Sequence, residues 1–348
     1  MLAKILFLND KCKLLIFCLY SHQNSFIIMV VTIDNIKYEL SSDDRCAAVL
    51  KDSYTNVVNI PASIDYEGIR YEVTAVSEGA FEGCDSLQEV TLGEEIRAVG
   101  INAFAGCSAL CKITFGGKIM LIGKGAFMGC KALRSVTLPD NLLSIEPSLF
   151  DGCSALHKVV VGESVDGVGE YAFCGCESLQ EIVLPESLKY IDSWAFRGCR
   201  SLKNIIIPPT IKEIRKGAFW ECESLTEFTV PRKLNNIEQG LLGNCTSLQK
   251  VEIPDTILNI GYGAFYNCSS LKELVIPSSV QAIGEQSLRS CSSLKRLTVL
   301  STVAPMCNRD IADAKVYADA TLYVPAGCVG EYGFARIWDK FANVEETA

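Results

Sequence analysis

A solenoid of short stacked repeats, wound on a parallel β-sheet and closed by a cap at each end, is the fold class that this sequence predicts. Three observations predict it. Phenylalanine recurs at Phe81, Phe104, Phe127, Phe150, Phe173, Phe196, Phe219 and Phe265, always at multiples of 23 residues, and apolar Leu242 and Leu288 fill the two vacant places. Cysteine keeps the same beat from Cys84 to Cys291, and leucine follows three residues later, from Leu87 to Leu294. The ten copies run without insertion or deletion, and self-similarity at one fixed period is the mark of a repeat architecture.

Residues 188–208, LKYIDSWAFRGCRSLKNIIIP, show a typical copy. Its L-x-x-I-x-I segment is the strand signature of leucine-rich repeats. The reading is therefore a leucine-rich repeat solenoid of ten 23-residue repeats. Side chains alternate along a strand, so Ile205 and Ile207 point inward and Ile206 outward. Val90 and Leu92 likewise point in and Thr91 out. Proline follows the strand in six copies, Pro139, Pro185, Pro208, Pro231, Pro254 and Pro277, where it stops the strand. The residue before each repeat cysteine is glycine six times, then Glu221, Asn244, Asn267 and Ser290. Glycine and asparagine tolerate positive φ, so a left-handed turn is expected there, with Glu221 the exception. One copy buries too little apolar surface to offset the entropy of ordering it, so the copies must stack on one another.

The period fails at both ends, where caps are expected. Residues 29–74 keep strand patterns, VVTIDNIKYEL, CAAVL and NVVNIP, and read as a β-rich N-terminal cap before a solenoid over 75–299. Residues 300–348 read as a C-terminal cap. In it TLYVPAG is a strand and turn, and EYGFARIWDKF an amphipathic helix with Phe334, Ile337, Trp338 and Phe341 on one side. Residues 1–28 fit neither part. Lysines precede a short apolar run, LLIFCLY, and two readings stand: a degenerate export signal, or an upstream artefact with Met29 as the true start. No stretch is long enough to cross a membrane as a helix.

Composition narrows the function. The chain is 49% hydrophobic and 21% charged, which excludes intrinsic disorder. A net charge of −9 argues against phosphate backbones and anionic membrane surfaces as partners. Two histidines, His22 and His157, leave little for acid–base or nucleophilic chemistry. No phosphate-cradling glycine motif is present. The 17 cysteines raise disulfides or metal, but a 23-residue period lays thiols in a row rather than around a tetrahedron. The row reads instead as small buried residues whose S–H faces the turn. Cys174–Cys176 is a lone short pair. No catalytic, cofactor-binding or metal-ligating residue is expected.

The A-F-x-G-C-x-S-L-x-x-I-x-I-P copies resemble the BspA-like leucine-rich repeats, the Treponema-pallidum-type subclass, over residues 73–299. The segments at 59–73 and 320–341 are similar to the flanks of bacterial members. The resemblance implies a non-enzymatic bacterial protein, often exported, with a binding or adhesion role toward host matrix proteins or other cells. It carries over no catalytic residue.

Two groups of residues are candidate partner sites. The outward strand row runs Thr91, Thr114, Thr137, Val160, Val183, Ile206, Thr229, Glu252, Val275, Thr298. Val160, Val183 and Ile206 form an apolar stripe, rimmed by His157, Lys158, Gln180, Glu181, Lys203 and Asn204. An apolar patch with a polar rim has the make-up of a binding site; strand propensity alone also places Val and Ile there. The second group is aromatic. Tyr171 and Trp194 share a slot two residues before the phenylalanine, with Tyr190 and Trp220 near in the coil. Such residues serve as binding anchors or pack along the loops, and as stacking surfaces they keep a glycan among the ligands. Three functions follow: a cell-surface or secreted adhesin-like protein, an intracellular protein-interaction scaffold of the same fold, and, least supported, an enzyme.

Overall fold

Each 23-residue copy forms one coil, and every coil hands its backbone hydrogen bonds to the next. The computed structural model describes residues 28–347; the two readings of residues 1–28 fall almost wholly outside that span. The L-x-x-I-x-I segments line one face as a parallel ladder broken into stretches, with strands such as Ser135–Thr137, Lys158–Val160 and Glu181–Val183 paired in register, Val136 to Val159 to Ile182. Val90 and Leu92 are buried and Thr91 exposed, as the alternation requires.

The expectation of a single sheet is incomplete. A second parallel ladder of two-residue strands runs along another face, through Ala98–Val99, Leu121–Ile122, Gly167–Val168, Tyr190–Ile191, Glu213–Ile214, Asn236–Ile237, Asn259–Ile260 and Ala282–Ile283. It uses the I-x-x-I half of each copy, whose inward residues, such as Ile191 and Ile260, are buried. Between the ladders the loop corner is bonded too. Phe104 N–H donates to the Ala126 carbonyl at 2.8 Å, and Gly106 N–H to that of Met128 at 2.7 Å. The same pattern recurs at Phe173 with Ala195 and at Phe196 with Ala218. Buried backbone groups need such partners, and a one-coil translation supplies them all around the ring.

The phenylalanines stack down the axis. Ring centroids from Phe81 to Phe219 are 4.7 to 5.6 Å apart, with interplanar angles of 4° to 15°. Beside them runs the thiol row. Each Sγ from Cys107 to Cys291 donates to the carbonyl 26 residues earlier, at 3.0 to 3.3 Å. The cysteines of this row, Cys84 to Cys291, are free thiols. The turn before each cysteine is left-handed in all ten copies. The glycines lie at φ +68° to +74° and Glu221, Asn244, Asn267 and Ser290 at +56° to +64°, so Glu221 is no exception in backbone. Its carboxylate is tied down by Trp220 Nε1, at 3.1 Å, and Arg197 Nε, at 3.5 Å.

The ladder outruns the sequence repeat: the solenoid has about thirteen turns, not ten. The N-terminal segment adds the strand Asn56–Asn59, parallel to Leu87–Thr91, and sets the Tyr54 ring against Phe81, tilted by 37° with centroids 4.4 Å apart. The VVTIDNIKYEL stretch is a hairpin, Ile28–Ile33 against Ile36–Ser41, turned at Asp34 and Asn35, both with positive φ. At the other end Thr321–Val324 and Asn343–Glu346 continue the first ladder in parallel. The expected single helix over 331–341 is broken. Val329–Phe334 is α-helical and Trp338–Lys340 a 3₁₀ turn, with Ile337 at φ +82° between them. The break lets Trp338 Nε1 reach the Pro305 carbonyl at 2.8 Å and buries Ile337, Trp338 and Phe341, while Phe334 is left 95% exposed. An unpredicted helix, Ala314–Asp319, is capped by the Asp313 side chain, which accepts from Val316 N–H.

Two stability predictions follow from these stacks. Phe196, fully buried between Phe173 and Phe219, should cost roughly 3–5 kcal/mol when replaced by alanine, read as a lower urea midpoint; an unchanged midpoint would place it outside the core. Burial pushes the Cys107, Cys245 and Cys291 thiols up to about 12, and Cys130, Cys153, Cys176, Cys199, Cys222 and Cys268 well above the ordinary 9.0. Above pH about 9 the unfolded chain loses these protons and the folded chain keeps them. Stability is thus whole below that pH and falls above it, by about 1.4 kcal/mol per thiol per pH unit. Urea midpoints between pH about 8 and about 10 should drop steeply, and a flat profile would contradict the buried row.

Candidate functional site

The outward row of the first ladder is solvent-facing along most of its length, and its apolar members lie together at the centre. Val160 and Val183 are in register on adjacent strands. Val160 is 40% exposed, Val183 72% and Ile206 86%. The last two are the most exposed apolar side chains within the ten copies. Thr298 departs from the row. It is buried, beside Tyr323 of the added C-terminal rung, on which Arg296 stacks at 3.7 Å.

The rung that carries Ile206 is unlike its neighbours. Residues 204–207 form no strand, and among the described residues no strand pairing joins them to Glu181–Val183 or to Glu227–Thr229. Ile205 and Ile207, expected to be buried, are only partly so and pack against the core's edge. This copy alone ends in a tandem proline, Pro208–Pro209, which removes two donors and fixes the chain just past the rung. One of the ladder's breaks, and the one that lacks a strand, thus falls where its outward surface is most apolar.

The rim is polar and exposed. His157 and Lys203 lie at the starts of their rungs, both exposed. Lys158 pairs with Glu181 at 3.4 Å across adjacent strands, and Thr226 Oγ1 donates to Asn204 Oδ1 at 3.3 Å. Surface pairs of this kind add little stability and leave the charges free to meet a partner.

The aromatic group divides. Trp194 and Trp220 meet edge to face at 6.1 Å, and Trp220 stacks on Tyr266, also at 6.1 Å. Arg197 lies 5.7 Å over the Trp194 ring. Tyr171 and Tyr190 make no ring contact with the indoles among the described residues. Tyr190 stands on the second ladder, 40% exposed. Gly217 and Gly243 make the indole arrangement possible: a methyl group on either would overlap Trp194 or Trp220 respectively. Sequence reasoning singled out the two tryptophans but not Arg197, Tyr266 or these glycines. The signal was available, because Gly217 lies one period after Trp194, and Gly243 and Tyr266 one and two periods after Trp220.

The slot of Tyr171 and Trp194 has an unexpected cost. Its backbone is left-handed in all ten copies, and five carry glycine, at positions 79, 125, 217, 240 and 263. Tyr171 holds φ +57° and Trp194 φ +60°. A bulky side chain there costs about 1–2 kcal/mol, which a half-buried indole offsets by covering Gly217.

A leucine-rich-repeat solenoid with an exposed apolar stripe on its ladder defines a class of macromolecule-binding scaffold. The repeats described as the BspA type leucine-rich repeat region match residues 62–179 and 166–295, and the chain belongs to that family. Among solved structures it is similar to a leucine-rich cell surface protein of Faecalibacterium prausnitzii, at 22% identity over 92% of this chain and 95% of that one, with a TM-score of 0.51. It is also similar to the pneumococcal vaccine antigen PcpA, at 18% identity over 92% and 98%, with a TM-score of 0.55. At these identities both show the fold alone. No curated protein matches the chain. No helix among the described residues is long and apolar enough to cross a membrane.

Trp194→Gly should leave the urea midpoint close to that of the parent, within roughly 1 kcal/mol, because relief at positive φ offsets the lost ring contacts. A loss of several kcal/mol would make the indole a structural prop.

Proposed function

We propose that this chain is a non-enzymatic protein-binding module, displayed at the cell surface or secreted, that grips a macromolecular partner on the first ladder around Val183 and Ile206 in the manner of an adhesin. The observation that carries this reading is the exposure of those two side chains, 72% and 86%, in a solenoid whose axial phenylalanine and cysteine rows are buried. Repeat solenoids bind through extended surfaces of this kind, and an apolar centre with a charged rim suits a protein partner. Val160 extends the stripe, and His157 and Lys203 flank it; the indole corner at Trp194 and Trp220, with Tyr171 in the same slot as Trp194, offers a second contact. A surface address is supported by the family and by the description of the Faecalibacterium relative as a cell surface protein. Host matrix proteins and cell-surface proteins are the partners to test first, with glycans next and nucleic acid set aside on charge.

An intracellular scaffold is the second reading. The free thiols of the buried row, Cys107 to Cys291, favour it, since thiols persist most readily in a reducing compartment. Protease treatment of intact source cells, with mass spectrometry of the released peptides and of the mature N-terminus, separates the two. Release from the surface supports the adhesin, and protection supports the scaffold.

Val183→Asp places a charge in the centre of the stripe. Affinity for a captured protein partner should fall roughly 5- to 150-fold, as at a central interface position. The urea midpoint should move by no more than about 0.5 kcal/mol, since the site is exposed. Unchanged affinity would remove the first ladder from contention.

A further inference from the structure

The chain carries a net charge of −9, yet the second-ladder face gathers cations. Lys212, Arg215, Lys216 and Lys233 line one groove of about 500 Å³, together with Asn235 and Asn236. Arg215 is neutralised by Asp192 and Glu213, at 3.3 and 3.2 Å, and Lys189, one coil earlier, by Asp166 at 3.5 Å. Lys212, Lys216 and Lys233 are exposed and have no ion-pair partner among the described residues. Three unneutralised ammonium groups thus stand on two adjacent coils, about 4.8 Å apart along the axis.

Around them stand Glu213 and Glu238 and a set of uncharged, hydrogen-bonding side chains. The outward row of this ladder runs Tyr190, Glu213, Asn236, Asn259. Asn259 Nδ2 donates to Asn236 Oδ1 at 2.9 Å, which leaves further amide donors and acceptors facing out. Tyr190 is 40% exposed, and its Cδ2 lies 3.8 Å from where a methyl group on Gly167 would sit, so the residue borders the sheet and still faces solvent in part.

We propose that this face is a second binding site, separate from the first ladder, for an anionic polysaccharide: a sugar chain bearing carboxylates or sulfates. The lysines meet the anionic substituents, the asparagine amides meet hydroxyls, and the Tyr190 ring takes the apolar face of a sugar. Asp192, Glu213 and Glu238 stand among the lysines. They limit the net positive charge of the face, so the asparagine amides and the Tyr190 ring, rather than charge density, set a polysaccharide apart from nucleic acid.

The test is equilibrium binding of the full chain to heparin oligosaccharides and to polygalacturonate, with neutral dextran and oligo-dT as comparisons. Either anionic polysaccharide should bind, the more weakly the higher the salt, and the one preferred identifies the substituent. The triple variant Lys212→Ala, Lys216→Ala, Lys233→Ala should lose roughly tenfold in affinity with an unchanged circular dichroism spectrum. Tyr190→Ala should weaken polysaccharide binding and leave oligo-dT unaffected, and Val183→Asp should leave polysaccharide binding intact whatever it does to a protein partner. The proposal is overturned if neither anionic polysaccharide binds, if the triple variant binds as the parent does, or if oligo-dT binds as tightly as heparin and Tyr190→Ala changes nothing.

Discussion

The rest of this structure depends on a constant register: residue n of one coil sits beside residue n plus 23 of the next. Because that offset never slips through ten copies, the same backbone bonds recur at the loop corner from coil to coil. Phe104 N–H finds Ala126, and Phe173 N–H finds Ala195, by the same translation. The side chains inherit the rule. Phenylalanine rings stack at 4.7 to 5.6 Å, close to the natural spacing of parallel strands, so the rings fill the axis without strain. The thiols donate to carbonyls of the coil before. A single inserted residue would break all of these at once, because a repeat array is only as continuous as its nearest-neighbour contacts.

The same register explains where variation is tolerated. Most inward positions are closed, so differences between coils accumulate on outward slots. There the copies around residues 160–266 diverge from the rest, with Val183 and Ile206 on the first ladder, Trp194 and Trp220 at the corner, and Lys212, Lys216 and Lys233 on the second ladder. Tyr171 and Trp194 even occupy a left-handed slot that glycine holds in half the copies. Strain kept in place by its surroundings is a reason to look for function there. The two proposed sites therefore share the central coils but face different ways.

The caps solve a problem that the repeat creates. A stack of parallel strands ends in exposed edges, which invite further strands. At the N-terminus the hairpin Ile28–Ile33 with Ile36–Ser41 turns the second ladder antiparallel and ends it, while Tyr54 closes the phenylalanine stack. At the C-terminus two extra rungs leave the period but keep the ladder, and the last, Asn343–Glu346, carries two glutamates that discourage a further strand.

The solenoid class, the alternation at Val90, Thr91 and Leu92, the left-handed turn before every repeat cysteine but that after Glu221, and the outward place of Val183 were legible in the sequence. Each follows from local rules repeated ten times, and repetition turns weak preferences into a firm pattern. The second ladder was not legible, because two-residue strands leave no alternation to read. Nor was the broken helix at Ile337, whose course is decided by the Pro305 carbonyl that Trp338 reaches, 33 residues away. The missing strand at 204–207 carried a hint in Pro208–Pro209, but only its unpaired neighbours show the outcome. The lysine groove lay hidden for the same reason: Lys212, Lys216 and Lys233 belong to no common slot of the repeat, and stacking alone brings them around one groove. The sequence by itself determined the coil, since a 23-residue period admits few ways to bury its apolar face. Tertiary structure alone decided which outward side chains become neighbours, because that depends on the stacking distance and on the few places where it is interrupted.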